Sequence, residues 1–227
     1  MRTPLGTPRL HLRATDSTNE RARALAAAGA PHGTLVTAGE QRAGRGRQGR
    51  TWTAPPGRAL LMSLVLRDWQ PLLPLAAAVA VADVAGPAAA IKWPNDVLLD
   101  GRKVAGILVE TRAQDGWAVL GIGVNVAVRI ADLPGELRER AGTLGLEPAA
   151  VEPTLAALLE TLGERLAQDE AALLRAFRER DALLGRPVRW HRGEGIAAGI
   201  DGGGRLLVDR PDGTREVLDA GEVHLRR

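Results

Sequence analysis

The sequence predicts an α+β fold, in which helices pack on a mixed or antiparallel sheet and a small β-barrel or sandwich follows. Short apolar runs typical of strands recur before residue 130, and segments of helical spacing lie among them. After residue 185 the pattern changes to short alternating runs broken by GGG and DG. We therefore expect two domains, residues 1–184 and residues 185–227, with the boundary near Gly185.

The extended segments differ in the kind of strand they predict. LHLRAT alternates apolar and polar residues, whereas RALLMSLVLR is apolar enough to form a buried strand. Asp100-Gly101 is a strong hairpin signal between two strand-like runs. The predicted strand segments are LHLRAT (10–15), GTLVTA (33–38), RALLMSLVLR (58–67), DVLLDGRKVAGILVE (96–110, a hairpin) and WAVLGIGVNVAV (117–128).

Three segments predict helices, which we expect on one side of the sheet. Ser17 and Glu20 have capping-box spacing at the start of an alanine-rich run. The second run has proline near its start and glycine at its end, and Gly185 is placed to cap the third. The predicted helical segments are 17–28, 71–86 and 153–184.

Composition predicts a soluble cytoplasmic chain. Hydrophobic residues make up 45% and charged residues 25%, which is ordinary for a globular protein. The absence of cysteine excludes disulfides and thiol nucleophiles and fits a reducing compartment. The N-terminus lacks the apolar core of a signal peptide, and the most apolar stretch, 72–82, is shorter than the roughly 20 residues of a membrane span.

The choice of basic and polar residues predicts one shared polar site. Although the isoelectric point is about 10.4, the net charge is only +3, so the high value mostly reflects missing titratable groups. The chain has only two lysines, two serines and three asparagines. Most of them fall in four short stretches, TDSTN, IKWPND, GRKVAG and GIGVN. Because the chain otherwise uses arginine and alanine, these rare residue types are expected at positions where their particular side chains are needed.

Several common chemistries are excluded. GRGRQG matches the dinucleotide fingerprint, but two prolines and a strand follow it where a helix would be required. Neither lysine is followed by a hydroxyl residue, so there is no phosphate-binding P-loop. The four histidines are scattered without ligand spacing, and G-x-S-x-G is absent.

The stretches GRGRQGRTW (44–52) and KWPND (92–96) leave alternatives open. The first is either a basic loop that contacts nucleic acid or a loop whose backbone amides and guanidinium groups bind a smaller phosphate or carboxylate. Few aromatic residues, 3%, are present to stack on bases, which favours the smaller ligand. The second is either a turn or part of a charged site, with Lys92 and Lys103 supplying compact ammonium groups.

Together the motifs resemble the biotin protein ligases. The matching stretches, in the family's order and spacing, are DSTNE (16–20), EQRAGRGRQGRTW (40–52), KWPNDVLLDGRKVAGILVE (92–110) and GIGVNV (121–126). The resemblance implies an SH3-like C-terminal domain and a reaction in two steps. Biotin and ATP form biotinyl-5′-adenylate, and a lysine of a biotin carboxyl carrier protein then takes the biotin.

The resemblance also implies roles for individual residues. Lys103, Arg45 and Arg47 would be catalytic, with Lys103 between the biotin carboxylate and the α-phosphate. Biotin would contact Ser17, Thr18, Asn19, Gln41, Gly44, Arg45, Gly46, Arg47, Lys103 and Gly106. ATP and the adenylate would contact Arg45, Arg47, Arg50, Trp52, Asn95, Asp96, Lys103 and Asn125. Asp96 as a base for the acceptor lysine is a further hypothesis, and Mg²⁺ is expected without assigned ligands.

The sequence also departs from the family in two ways. Gln48 stands where many members have another arginine, which weakens any role for charge at that position. Few residues precede DSTN, and we therefore expect no winged-helix domain, no DNA binding and no repressor activity. The family contains monomers and homodimers, so a homodimer remains open. The alternative enzyme is a lipoate ligase or lipoyl transferase, although the polar DSTN and Gln41 set favours the ureido ring of biotin.

Overall fold

A seven-stranded sheet forms the larger part of the protein in the computed structural model, which describes residues 4–219, 221 and 223–225. Its spatial order is β1-β2-β3-β7-β6-β5-β4. β1 and β2 are parallel and the other neighbouring pairs are antiparallel, which confirms the predicted mixed sheet. The strands are β1 (Arg9–Leu12), β2 (Leu35–Ala38), β3 (Ala59–Leu66), β4 (Ala90–Lys92), β5 (Asp96–Leu99), β6 (Arg102–Arg112) and β7 (Trp117–Asn125).

Helices cover both faces of this sheet, so the expectation that they lie on one side is wrong. The helices are α1 (Thr18–Ala27), α2 (Leu73–Ala85), α3 (Gly135–Arg138), α4 (Val151–Ala167) and α5 (Glu170–Arg178). Leu64 of β3 packs in the core beneath α2, α4 and α5, whereas the adjacent Val65 packs against α1. Neighbouring residues of a strand face opposite sides. β3 is buried at all eight positions because both of its faces are covered.

The helix predicted over 153–184 is two helices followed by turns, which corrects the sequence expectation. The break falls after Ala167, where Gln168 is extended and Asp169 caps α5 by accepting a hydrogen bond from Ala172 N at 2.7 Å. Gly185 has φ of 72° but lies beyond the end of α5, in the connection to the next strand, so it does not cap a helix. Asp169 therefore begins a second helix, although the apolar residues keep a helical spacing across the break.

The C-terminal segment forms a five-stranded antiparallel sheet, as expected of a small β unit. Its strands are β8 (Pro187–Trp190), β9 (Gly193–Ile200), β10 (Leu206–Asp209), β11 (Arg215–Leu218) and β12 (His224–Leu225), in the order β11-β10-β9-β8-β12. Val188 and Leu206 belong to the same apolar cluster as Phe177 of α5. The Trp93 indole N–H donates to the carbonyl of Gly204 at 2.9 Å. The core therefore continues across the predicted boundary at Gly185.

In the part of the chain that the structure describes, no helix combines the length and the apolar character needed to span a bilayer.

Phe177→Ala should lower the free energy of unfolding by about 3–5 kcal/mol, measured by urea denaturation, because it removes a large, fully buried side chain from the main core. Leu184→Ala is the control: this side chain is 57% exposed, and its loss should change stability by about 0.5 kcal/mol or less. Equal effects of the two substitutions would contradict the assigned core.

Candidate active site

The site is built on a part of the sheet that lacks side chains. Gly106 of β6 and Gly123 of β7 are register partners, and Gly121 of β7 pairs with Ser63 of β3 on the same face. The Trp52 ring fills this space, since a Cβ atom at Gly123 would lie 2.6 Å from the ring and one at Gly106 would lie 3.1 Å from it. A Cβ atom at Gly121 would collide with the Asn19 amide. These glycines allow polar and aromatic groups to lie directly on the backbone.

A chain of polar groups from Gln41 to Asn19 borders this glycine patch. The backbone N–H of Thr18 donates to Gln41 Oε1 at 2.7 Å, and the Thr18 hydroxyl lies 3.0 Å from the same oxygen. Ser63 Oγ lies 2.8 Å from Thr18 Oγ1 and 2.6 Å from Asn19 Oδ1. Thr18, Asn19 and Ser63 are all buried. The family resemblance predicts biotin contacts for Thr18, Asn19 and Gln41, and the structure brings these three residues together.

Glu110, near the end of β6, binds three side chains at the edge of the site. Asn19 Nδ2 donates to Glu110 Oε2 at 2.9 Å. Arg23 and Arg45 each approach Glu110 Oε1 to 3.4 Å. The carboxylate therefore connects the polar chain on α1 to the glycine-arginine loop.

Ser17 lies at the N-terminal cap position of α1, but its side chain makes no capping hydrogen bond. The capping box predicted from Ser17 and Glu20 is therefore wrong. Ser17 is buried and directly precedes Thr18 in the chain, next to the polar end of the site.

The loop 44–52 folds as a short, self-bonded turn. Trp52 N donates to Gly44 O at 2.9 Å, and Gly46 N donates to Arg50 O at 2.7 Å. Gln48 at the tip of the loop has φ of 55°, in the left-handed region. An arginine at this position would adopt that conformation no more easily than glutamine does. A Cβ atom at Gly44 would collide with the Trp52 carbonyl, so this position requires glycine.

Arg47 attaches the loop to the turn between β4 and β5. Arg47 Nη1 donates to Asn95 Oδ1 at 2.9 Å, and Asn95 Nδ2 donates to the Ile107 carbonyl at 3.0 Å. Burial lowers the pKa of Arg47 from its usual value, and the nearby Asp96 charge partly offsets this effect. Asn95 thus aligns a partly desolvated guanidinium over the sheet.

Lys103 and Asp96 form the shortest ion pair in the site, with Lys103 Nζ 2.6 Å from Asp96 Oδ1. The same ammonium lies 5.7 Å from the Trp52 ring centroid. Lys92 of β4 lies opposite Asp96 of β5 in the strand register and is half-buried. Burial lowers the pKa of Lys92. The charges of Lys103 and Arg50 act in the same direction. An excess of positive charge therefore surrounds the single carboxylate of Asp96.

Two buried polar atoms near this cation cluster lack a hydrogen-bond partner among the described residues: Trp52 Nε1 and Asn125 Oδ1. Asn125 ends β7, and its Nδ2 donates to the Gly142 carbonyl at 2.9 Å. Groups of this kind are expected where a polar ligand completes the bonding.

The structure groups the predicted residues into a polar end at Ser17, Thr18, Asn19 and Gln41 and a cationic end at Arg47, Asn95, Asp96 and Lys103. Sequence reasoning assigned no individual role to Ser63, Glu110, Gly121 or Gly123, although the last three lie within matched stretches. The available signal for Ser63 was its rarity: it is one of only two serines and lies within an apolar strand. No three His, Asp or Glu side chains among the described residues could together hold a metal ion.

The described fold and site resemble known ligases. Residues 12–126 match the Biotin/lipoate A/B protein ligase family, and residues 183–226 match the Biotin protein ligase C terminal domain. The biotin–[acetyl-CoA-carboxylase] ligase of Paracoccus denitrificans is 39% identical, with 92% of this chain and 97% of that protein covered. The bifunctional ligase/repressor BirA of Bacillus subtilis is 35% identical, with 90% and 70% covered.

Solved structures agree with the sequence comparison. The biotin protein ligase from Aquifex aeolicus in complex with biotin and ATP superposes with a TM-score of 0.82 at 27% identity, covering 97% of this chain and 99% of that one. The biotin protein ligase from Leishmania major in complex with biotin gives 0.65 at 27% identity, covering 94% and 99%.

A mixed sheet with this polar and cationic site, followed by a five-stranded antiparallel sheet, defines the class of protein as a ligase. The chain belongs to the biotin/lipoate A/B protein ligase family and, within it, to the biotin protein ligases.

Gly123→Ala should destabilise the protein by about 1–3 kcal/mol in urea denaturation, because the added methyl group must displace the Trp52 ring. In a Trp52→Ala background the same substitution should cost far less, since the two sites are in contact. Gly163→Ala is the control: this α4 glycine has open space around it, and alanine should stabilise the helix by about 0.5–1 kcal/mol. An equal cost of Gly123→Ala in both backgrounds would contradict the packing of Trp52 on the sheet.

Proposed function

We propose that this protein is an ATP-dependent biotin ligase that forms biotinyl-5′-adenylate and then transfers biotin to a lysine of a biotin carboxyl carrier protein. The observation that carries the proposal is the arrangement of two ends across one glycine patch. Buried hydroxyl and amide groups lie at one end, and the Lys103 ammonium with Arg47 lies at the other. This arrangement of functional groups suits a molecule with a polar ring at one end and a carboxylate at the other.

The polar end would bind the ureido ring of biotin. This ring has two N–H donors and one carbonyl acceptor, and each needs a partner when water is excluded. Ser17, Thr18, Asn19 and Gln41 offer hydroxyl and amide groups of both kinds. Gly44, Gly46 and Gly106 would let the ligand approach the backbone after the loop moves, because the Trp52 carbonyl and ring now occupy the space beside Gly44 and Gly106.

The cationic end would carry out the first step. An oxygen of the biotin carboxylate attacks the α-phosphorus of ATP, the bond from that phosphorus to the bridging oxygen breaks, and pyrophosphate leaves. Lys103 would reduce the repulsion between the carboxylate and the α-phosphate, and Asp96 would hold its ammonium in place. Arg45 and Arg47 would order the loop over the reacting atoms, shielding the mixed anhydride from water.

In the second step the amine of the acceptor lysine attacks the acyl carbon. The acyl–oxygen bond breaks, AMP leaves with the bonding electrons, an amide forms, and the amine releases its proton to solvent or to a nearby carboxylate. The relatives named biotin–[acetyl-CoA-carboxylase] ligase point to the carrier protein of that enzyme as the acceptor.

The nucleotide would lie at the loop end of the site. Trp52 offers an aromatic face for adenine, and Asn125 has an unpaired buried oxygen suited to a donor on the nucleotide. Arg50 and Asn95 would act near the phosphates, with Asn95 working through Arg47. Because Asp96 is engaged by Lys103, Mg²⁺ would arrive with ATP and take most of its ligands from phosphate oxygens and water.

We further propose that the protein is cytoplasmic, does not bind DNA and has no repressor activity. It also keeps residues 1–184 as the catalytic domain and residues 185–227 as the C-terminal domain. Sequence-specific binding of the purified chain to DNA would contradict this part of the proposal.

Pyrophosphate exchange into ATP tests the first step without an acceptor protein. Exchange should require biotin, should not occur with lipoate, and should fall at least about a hundredfold in Lys103→Ala, because the charge between two anions is lost. Arg215→Ala serves as a control, since it removes an exposed cation paired with Asp209 on the C-terminal hairpin. Exchange supported only by lipoate would assign the chain to the other branch of the family, and absence of exchange with either acid would refute a ligase role.

Asp96→Asn separates positioning of Lys103 from a role as base. We expect biotin-dependent exchange to slow by about tenfold, because the ammonium loses its charged partner. Transfer from preformed biotinyl-5′-adenylate to the carrier protein should stay within about threefold of the unsubstituted protein. A hundredfold loss of transfer alone would instead identify Asp96 as the base for the acceptor lysine.

A further inference from the structure

We infer that Glu110 is a positioning residue for the biotin ligase proposed above: its carboxylate fixes the orientation of the Asn19 amide and thereby keeps both lone pairs of the Thr18 hydroxyl free to accept hydrogen bonds from the ligand. The inference rests on the proposed function for the identity of the ligand. It rests on the geometry alone for the direction of the hydrogen bonds.

The first step concerns Asn19. An ionised carboxylate only accepts hydrogen bonds, so the group facing Glu110 Oε2 at 2.9 Å must be the Asn19 NH₂. The amide oxygen then faces Ser63 Oγ at 2.6 Å. Asn19 is only 4% exposed, so water offers it little alternative bonding.

The second step concerns the hydroxyl groups. Ser63 has one hydroxyl hydrogen, and the oxygen of Asn19 requires it. Ser63 is fully buried and cannot also donate to Thr18 Oγ1 at 2.8 Å. Thr18 therefore supplies its own hydrogen, either to Ser63 or to Gln41 Oε1 at 3.0 Å. In both cases the lone pairs of Thr18 Oγ1 remain available to accept an N–H.

Reversing the Asn19 amide would reverse this pattern. Its NH₂ would donate to Ser63, whose hydrogen would then turn to Thr18 and use one of the threonine's lone pairs. Thr18 Oγ1 would then keep one free lone pair for the ureido N–H of biotin, where the observed orientation leaves two. The charge of Glu110 excludes this arrangement, because a reversed amide would place its oxygen against the carboxylate.

The ion pairs of Glu110 contribute less to this effect. Arg23 and Arg45 each contact Glu110 at 3.4 Å, and their side chains are 32% and 45% exposed, so solvent screens both interactions. The hydrogen bond that the nearly buried Asn19 donates to this carboxylate is the contact that determines binding chemistry.

Glu110→Gln tests the inference, because glutamine keeps the shape of the side chain but can hydrogen-bond to the Asn19 amide in either of its orientations. We expect the KM for biotin in pyrophosphate exchange to rise about tenfold, with the KM for ATP and the kcat within threefold and the thermal midpoint nearly unchanged. In an Asn19→Ala background the same substitution should leave the KM for biotin unchanged within twofold. An effect that persists in that background would show that Glu110 acts through Arg45 or the fold, and would overturn the inference.

Arg23→Ala is the matched control, since it removes one cation from Glu110 without touching Asn19 or the loop, and its KM for biotin should stay within twofold. A chain that neither exchanges pyrophosphate nor binds biotin in calorimetry would overturn both proposals. A chain that does both, with a normal KM for biotin in Glu110→Gln, would overturn this inference alone. If Glu110→Gln lacks a cooperative thermal transition, Glu110→Asp takes its place, with an expected rise of about threefold, and an unchanged KM would again be contrary.

Discussion

The absence of side chains from three positions of the central sheet is the constraint on which the site depends. Gly121 leaves space for the Asn19 amide, and Gly106 and Gly123 leave space for the Trp52 ring. Any larger residue there would push the polar chain or the indole away from the backbone. The two ends of the site are therefore positioned by strands of a sheet buried on both faces, which is among the stiffest supports a protein offers.

Charge is arranged around this support with few anions. Asp96 faces Lys103 at the cationic end, and Glu110 faces Asn19 at the polar end. Between them the loop is held by Arg47 on Asn95 and by Arg45 on Glu110. In the proposed function, one carboxylate orients a charge for the reaction and the other orients a neutral amide for recognition of the ligand.

Much of the fold could be predicted from the sequence, because strand periods, the Asp100-Gly101 turn and the motifs are local signals. The packing of helices on both faces could not be predicted, because the uninterrupted apolar sequence of β3 does not indicate which helix covers which face. The break at Asp169 was hidden because the helical period continues across it. Within the site, motif residues were predicted to lie together. The contacts that Glu110 and Ser63 make with residues distant in sequence could not be predicted, because no local pattern indicates them.

The scarcity of lysine has a consequence for how the protein would tolerate the intermediate of the proposed reaction. An acyl anhydride reacts readily with free amines, and a surface rich in lysine would be modified by any intermediate that escapes. Here both side-chain amines lie in or beside the site, with Lys103 held by Asp96 and Lys92 half-buried, while arginine supplies the rest of the positive charge. Arginine keeps the protein basic without offering a nucleophile. The described part of the chain thus offers few amines to the product of the proposed first step.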